Sequence, residues 1–196
     1  MNRTARNFCF KAIAYLKVEG AVGEGAAVRL HADDSPVLRR LGNRFLVAYL
    51  VDEGDHFSYV QGHHLRGAGL SADELHMQAL SNLAAFGEES ISVQEYGNIY
   101  TSMGGTFEAS MLLCEDFWEI WYAHLAPNGF IATVPARGVL AFGDSDAQQT
   151  VAELSALYEL GRPWQDHPLS SSLFRRVGKR WEPLGDSRGC GTVLLH

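Results

Sequence analysis

The stretch Gly104-Gly105-Thr106-Phe107-Glu108-Ala109-Ser110-Met111-Leu112-Leu113 holds the residues best suited to chemistry. Read as a strand, it puts Glu108 and Ser110 on one face, about 7 Å apart, and Phe107, Ala109 and Met111 on the other. A carboxylate and a hydroxyl turned into a core need partners. Hydrolysis through them would take Ser110 as nucleophile, a base within hydrogen-bond reach such as His76 or His63, and an oxyanion donor. The Gly-x-Ser-x-Gly turn that would expose such a serine is absent. The favoured reading is structural: Glu108 pairs with a buried cation, Arg137, and fixes the fold. Asn82, Glu108, Ser110 and Arg137 are the polar cluster expected to converge in a pocket between sheet and helix. Replacing Glu108 by glutamine is expected to destabilise the fold.

The histidines are weaker candidates. His63 and His64 are adjacent, and on extended backbone adjacent side chains point apart, which disfavours chelation of one ion. A zinc site would need one of them with His76 and an acid; surface histidines are the favoured reading. Asp166 and His167 look like an acid–base pair only by adjacency. Trp118, Trp121 and Leu125 share a helical face, which fits core packing or a homodimer better than ligand stacking. The acidic turn Asp52-Glu53-Gly54-Asp55 lacks the loop of a calcium site. No phosphate-cradling glycine loop is present, and Cys9, Cys114 and Cys190 form neither a disulfide framework nor a metal knuckle. No metal or cofactor is therefore expected, and the partner is an unknown small molecule or protein.

Bulk properties narrow the classes. With 16 basic and 23 acidic side chains in 196 residues, the net charge is -7, which argues against nucleic acid or anionic lipid as the main partner. The local exception is Arg175, Arg176, Lys179, Arg180 and Arg188, read as a solvated hairpin ahead of a basic docking patch. Hydrophobic residues at 46% and charged ones at 20% are ordinary for a globular chain. There is no apolar leader and no run of about 18 apolar residues, so a cytoplasmic protein without a membrane span is expected.

The elements that must position these residues follow from periodicity and turn chemistry. Residues 3–18 fit an amphipathic helix, although apolar residues at every even position from Phe8 to Val18 also fit a strand. Gly20 to Gly25 is a break, and short extended pieces are read at Ala27 to His31 and Val37 to Leu41. A hairpin runs from Arg44 to Val51 and back over His56 to Gln61. Ser71 with Glu74 forms a capping box for a helix ending at Gly87, with Leu75, Ala79, Leu83 and Phe86 inward. Ile91 to Tyr96 and Asn98 to Met103 form a hairpin about Gly97. After the strand at Phe107 to Leu113 come a helix from Glu115 to Leu125 and strands at Phe130 to Val134 and Val139 to Phe142. A helix over 146–160 carries Val151, Leu154, Leu157 and Tyr158 inward and stops at Gly161-Arg162-Pro163. Ser172 to Pro183 is a hairpin about Gly178-Lys179. The order predicts an α+β fold: a mostly antiparallel twisted sheet with helices packed mainly on one face. The division expected is an N-terminal helix and short strands over 1–40, an α+β core over 41–163, and a C-terminal hairpin and tail of the same domain over 164–196.

Several of these segments occur together in a recognisable order. They are Leu46-Val47-Ala48-Tyr49-Leu50-Val51-Asp52, Ser71 through Leu83 with Ala79-Leu80-Ser81-Asn82, Glu108-Ala109-Ser110, Val134-Pro135-Ala136-Arg137-Gly138-Val139-Leu140, and Phe174 to Pro183. Over roughly residues 44–183 the chain resembles the YtpQ-like family of uncharacterised bacterial proteins. The resemblance implies a bacterial cytosolic α+β protein with no established activity. The bend after the Val-Pro pair commonly carries an aspartate in that family, where this chain has Gly138. The expected function is a non-catalytic binding or interaction protein, with a hydrolase acting through Glu108, Ser110 and a nearby histidine as the alternative.

Overall fold

The strand Phe45–Asp52 organises the N-terminal half because seven of its eight residues are apolar and nearly all are buried. In the computed structural model, which describes residues 2–18, 31–41, 45–160 and 168–184, this strand is β3. Along one side it pairs antiparallel with β1, Ile13–Val18, in register Ile13 with Leu50 and Lys17 with Leu46. Along the other it meets two short strands in succession. These are β2, Leu38–Leu41, opposite residues 45–48, and β4, Phe57–Tyr59, opposite residues 50–52. The hairpin at residues 52–57 is the one the sequence predicts.

The helix expected over residues 3–18 is split. Helix α1 is Arg3–Phe10, capped by the Asn2 side chain accepting from Thr4 N–H at 2.9 Å. After Lys11 the chain turns into β1, so both competing periodicities in this segment are right over half of it. Ile13–Val18 is rich in residues that suit a pleated surface, and pairing with β3 outweighs continuation of the helix. Helix α2, Gly62–Ala68, follows β4, and α3, Ala72–Ser90, begins with the expected Ser71–Glu74 box. Helix α3 runs past Gly87 to Ser90, three residues beyond the predicted stop.

The second sheet has six strands in the order β10-β9-β7-β8-β6-β5, all antiparallel. They are β5 Gln94–Tyr96, β6 Ile99–Met103, β7 Phe130–Thr133, β8 Val139–Asp144, β9 Leu173–Val177 and β10 Arg180–Pro183. Gly97 and Gly178, at φ +62° and +58°, take the left-handed positions in two of its hairpins. Helix α4, Gln148–Leu160, lays Val151, Leu154 and Leu157 on Ile99, Ile131 and Ala141. Phe130 and Phe142, alternate to Ile131 and Ala141, point to the opposite face. There they meet Trp118 at 5.0 and 5.2 Å between ring centroids. Helical cover is thus shared between the faces of this sheet instead of lying mainly on one.

Two further expectations change. Phe107 to Leu113 is no strand: Glu108 is at φ -56°, ψ -50°, and Ala109–Leu113 is a 3₁₀ helix. Residues 107–112 are all buried, so no alternating exposure opposes helical closure, and Met111 N–H and Cys114 N–H close onto the carbonyls three residues back. The helix expected from Glu115 to Leu125 contains a π-helical turn, Phe117–Trp121, followed by a 3₁₀ turn, Ala123–Leu125. Trp118 is 2% exposed and donates its indole N–H to the Met111 carbonyl, which removes it from any surface stripe with Trp121.

The chain is an α+β protein with antiparallel sheets, divided by contacts into two units, Met1–Phe86 and Gly87–His196. The first holds β1 to β4 and the second β5 to β10, so the division differs from boundaries at 40/41 and 163/164. Among the described residues no helix is long and apolar enough to cross a membrane. The break at 20–25, the strand residues 27–30, Arg44, the stop at 161–163, the Asp166–His167 pair, Arg188, Cys190 and the Tyr158 side chain lie outside the described residues.

Candidate functional site

The expected polar cluster is only partly assembled. Glu108, Ser110 and Arg137 meet in the second unit, where the loop at 104–110 lies against the bend between β7 and β8. Ala109 N–H donates to the Arg137 carbonyl at 3.0 Å, and Gly104 N–H to the Gly138 carbonyl at 3.1 Å. The expected Glu108–Arg137 ion pair is not formed. Glu108 Oε1 accepts from the backbone N–H of Gly105, and Oε2 is buried without a hydrogen-bond partner. Ser110 is 1% exposed in the 3₁₀ helix. Asn82 sits on α3 in the first unit and spends its amide there. It donates to the carbonyls of Phe10 and Ala12, both at 2.8 Å, and accepts from Gln78 at 3.0 Å. It ties the α1–β1 corner to α3, which is a structural role.

A groove of about 560 Å³ opens in the first unit, within the size range of small-molecule sites. Its walls come from α1 (Thr4, Ala5, Phe8), from Ser58, Tyr59 and Gln61, from the turn at Asp34 and Pro36, and from Glu53, His63 and His64. A second depression of about 580 Å³, bordered by Lys11, Val51 and Asp52, shares Thr4, Phe8 and Glu53 with it. Glu53 accepts from the Ser58 hydroxyl and lies 3.3 Å from His56 Nε2.

His63 and His64 stand on α2, not on extended backbone, and this reverses the expectation that they point apart. Their ring centroids are 3.9 Å apart, and Phe8 covers His64 at 4.4 Å. Each ring is tied to main chain through Nδ1. Gln61 N–H donates to His64 Nδ1 at 3.0 Å, and His63 Nδ1 lies 3.0 Å from the Asp33 carbonyl, which can only accept. Burial, then the neighbouring His63, pushes the His64 imidazole below its usual range, against the opposing charge of Glu53. Protonating Nδ1 would also break its bond to Gln61, so His64 is a neutral ring.

His76 does not join this pair. Its Nδ1 lies within hydrogen-bond distance of the Tyr49 hydroxyl at 3.2 Å, and burial first, then Arg39, holds the imidazole below its usual range. Burial pushes the Tyr49 phenol up to about 12, so it stays protonated. Among the described residues no group of three or more His, Cys, Asp or Glu could hold a metal ion. Two members of the basic group near the C-terminus are engaged: Arg176 reaches Glu119 at 2.7 Å and Lys179 bonds Glu115.

No protein-family model, no curated protein and no solved structure matches this chain.

The groove was missed because α2 is only seven residues long. The sequence signal was present. Gly69 supplies the left-handed stop at φ +65°, and Gln61 with His64 has the spacing of an N-terminal box.

Proposed function

We propose that the chain is a non-catalytic binding protein whose small-molecule ligand occupies the groove between α1 and the β4–α2 corner. The observation that carries this reading is the pair His63 and His64, held by main-chain bonds at a concave surface of ligand size. Among the described residues the lining holds Asp34 and Glu53 but no lysine or arginine, which disfavours an anionic ligand. The resemblance to YtpQ-like proteins supports a bacterial cytosolic setting and brings no activity with it. The hydrolase alternative through Glu108 and Ser110 has less support. Ser110 is buried, and His76, one of its two proposed helpers, is held by Tyr49.

A thermal-shift screen of uncharged and cationic metabolites, followed by chemical-shift mapping of hits, tests the reading. Ligands that perturb Phe8, Tyr59, His63 and His64 support it. Hits confined to residues 104–138, or ester hydrolysis abolished by Ser110→Ala in a variant that melts normally, would replace it.

A further inference from the structure

The two rings in the groove differ in which nitrogen carries the proton. His63 must donate from Nδ1 to the Asp33 carbonyl, so the neutral ring offers Nε2 as a bare lone pair. His64 accepts at Nδ1 from Gln61 N–H, so its proton is on Nε2. Two side chains of one type, 3.9 Å apart between ring centroids, therefore carry one acceptor and one donor at Nε2. Among the described residues no hydrogen bond engages either Nε2 atom, and both residues line the cavity.

We propose that His63 and His64 together read a lactam or cis-amide edge, His63 Nε2 accepting from the ligand N–H and His64 Nε2–H donating to the ligand carbonyl. The proposal rests on the groove being the ligand site and names the ligand's chemical class. A cis-amide presents one donor and one acceptor on adjacent atoms, and a neighbouring acceptor–donor pair on the protein satisfies both at once. Phe8, tilted against His64 at 4.4 Å between ring centroids, restrains that ring. A metal fits poorly, because the proton on His64 Nε2 occupies the atom that would coordinate. An anionic ligand fits poorly beside Asp34 and Glu53. The lowered proton affinity of His64 agrees with a donor that stays neutral through the physiological range.

The test uses the full chain, labelled with ¹⁵N, at about pH 8, where imidazoles are largely neutral. Long-range ¹H–¹⁵N correlation reads each tautomer directly. The expected result is Nδ1–H for His63 and Nε2–H for His64; the same tautomer on both rings overturns the proposal without touching the groove reading. The full chain is then titrated with 2-pyrrolidone and with cyclopentanone, which keeps the ring and the carbonyl and lacks the N–H. The lactam is expected to shift both histidine rings and to bind at least about tenfold tighter, because the ketone leaves His63 Nε2 unpaired in its complex. His63→Phe is expected to remove that preference with the fold intact by its amide spectrum. His64→Gln serves as a second variant should His63→Phe unfold, and is expected to weaken both probes. Equal binding of the two probes at Phe8 and Tyr59 overturns the proposal and leaves the groove as the site. Absence of any shift in the groove with either probe overturns both.

Discussion

Gly138 lies so close to the carbonyl oxygen of Gly105 that no side-chain carbon fits between them. The bend after β7 and the loop before the 3₁₀ helix are thereby pressed backbone to backbone, with Gly104 N–H bonded to the Gly138 carbonyl. An aspartate at position 138 would push its Cβ into that oxygen. Gly138→Ala and Gly138→Asp are both expected to lose roughly 1–3 kcal/mol through forced backbone shifts. Urea melts measure this, and an unchanged midpoint for the aspartate variant would mean the two loops separate at little cost.

Glu108 holds the same junction from the other side. Because its Oε1 accepts from Gly105 N–H and no cation pairs with it, glutamine can keep that bond. Glu108→Gln is therefore expected to change stability by less than about 1 kcal/mol, whereas Glu108→Ala, which leaves the Gly105 donor unmet, costs about 1–3 kcal/mol. This reverses the expectation built on an Arg137 partner. Parallel melts of the two variants check it, and equal losses would restore the charge itself to importance.

Acid should weaken the first unit before it protonates carboxylates. Burial lowers the proton affinity of both His64 and His76 in the fold, while in the unfolded chain both return to about 6.5. Between the lowered native values and about pH 6.5 the unfolded chain binds more protons. The stabilisation is thus full above that window and lost as pH falls through it. Melting temperature is expected to fall as pH is taken from about 7.5 to about 5.5. His64→Gln and His76→Gln should each flatten that slope in differential scanning calorimetry.

Arg176 gives an asymmetric expectation. Its side chain is only 6% exposed, with Nη2 on Glu119, Nε on the Gly178 carbonyl and Nη1 buried without a partner. Burial makes the charged form costly, and Glu119 is the nearest compensation. Removing the acid strands a buried charge, while removing the arginine deletes the charge with its cost. Glu119→Ala is expected to lower stability by about 1–2 kcal/mol and Arg176→Met by less. Denaturant melts with the order reversed would show the guanidinium to be well solvated.

What could be read from the sequence was what depends on local chemistry. The Ser71–Glu74 box opens α3, and Gly97 and Gly178 turn their hairpins, since each needs only its neighbours. Residues 107–113 failed because an unbroken buried run carries no period, and a Glu108 carboxylate folded back onto Gly105 leaves no trace in composition. Arg137 was placed beside the right loop, but through its carbonyl and not its guanidinium. The histidine pair was noticed and misjudged, because its geometry depends on whether seven residues close into a helix. Asn82 does not join the polar cluster expected of it, because its partners are carbonyls about 70 residues earlier in the chain.

The strands flanking β3 have a consequence for synthesis. Among the described residues, every strand paired with Phe45–Asp52 lies within residues 13–59, two of them laid end to end along one side. The described strands of that sheet are all present once residue 59 has left the ribosome, and the closures required are short. The six-stranded sheet must wait, because Leu173–Val177 has to arrive before Phe130–Thr133 gains its outer neighbour. Nascent chains ending shortly after Tyr59 would thus already contain every strand of the first sheet and none of the second.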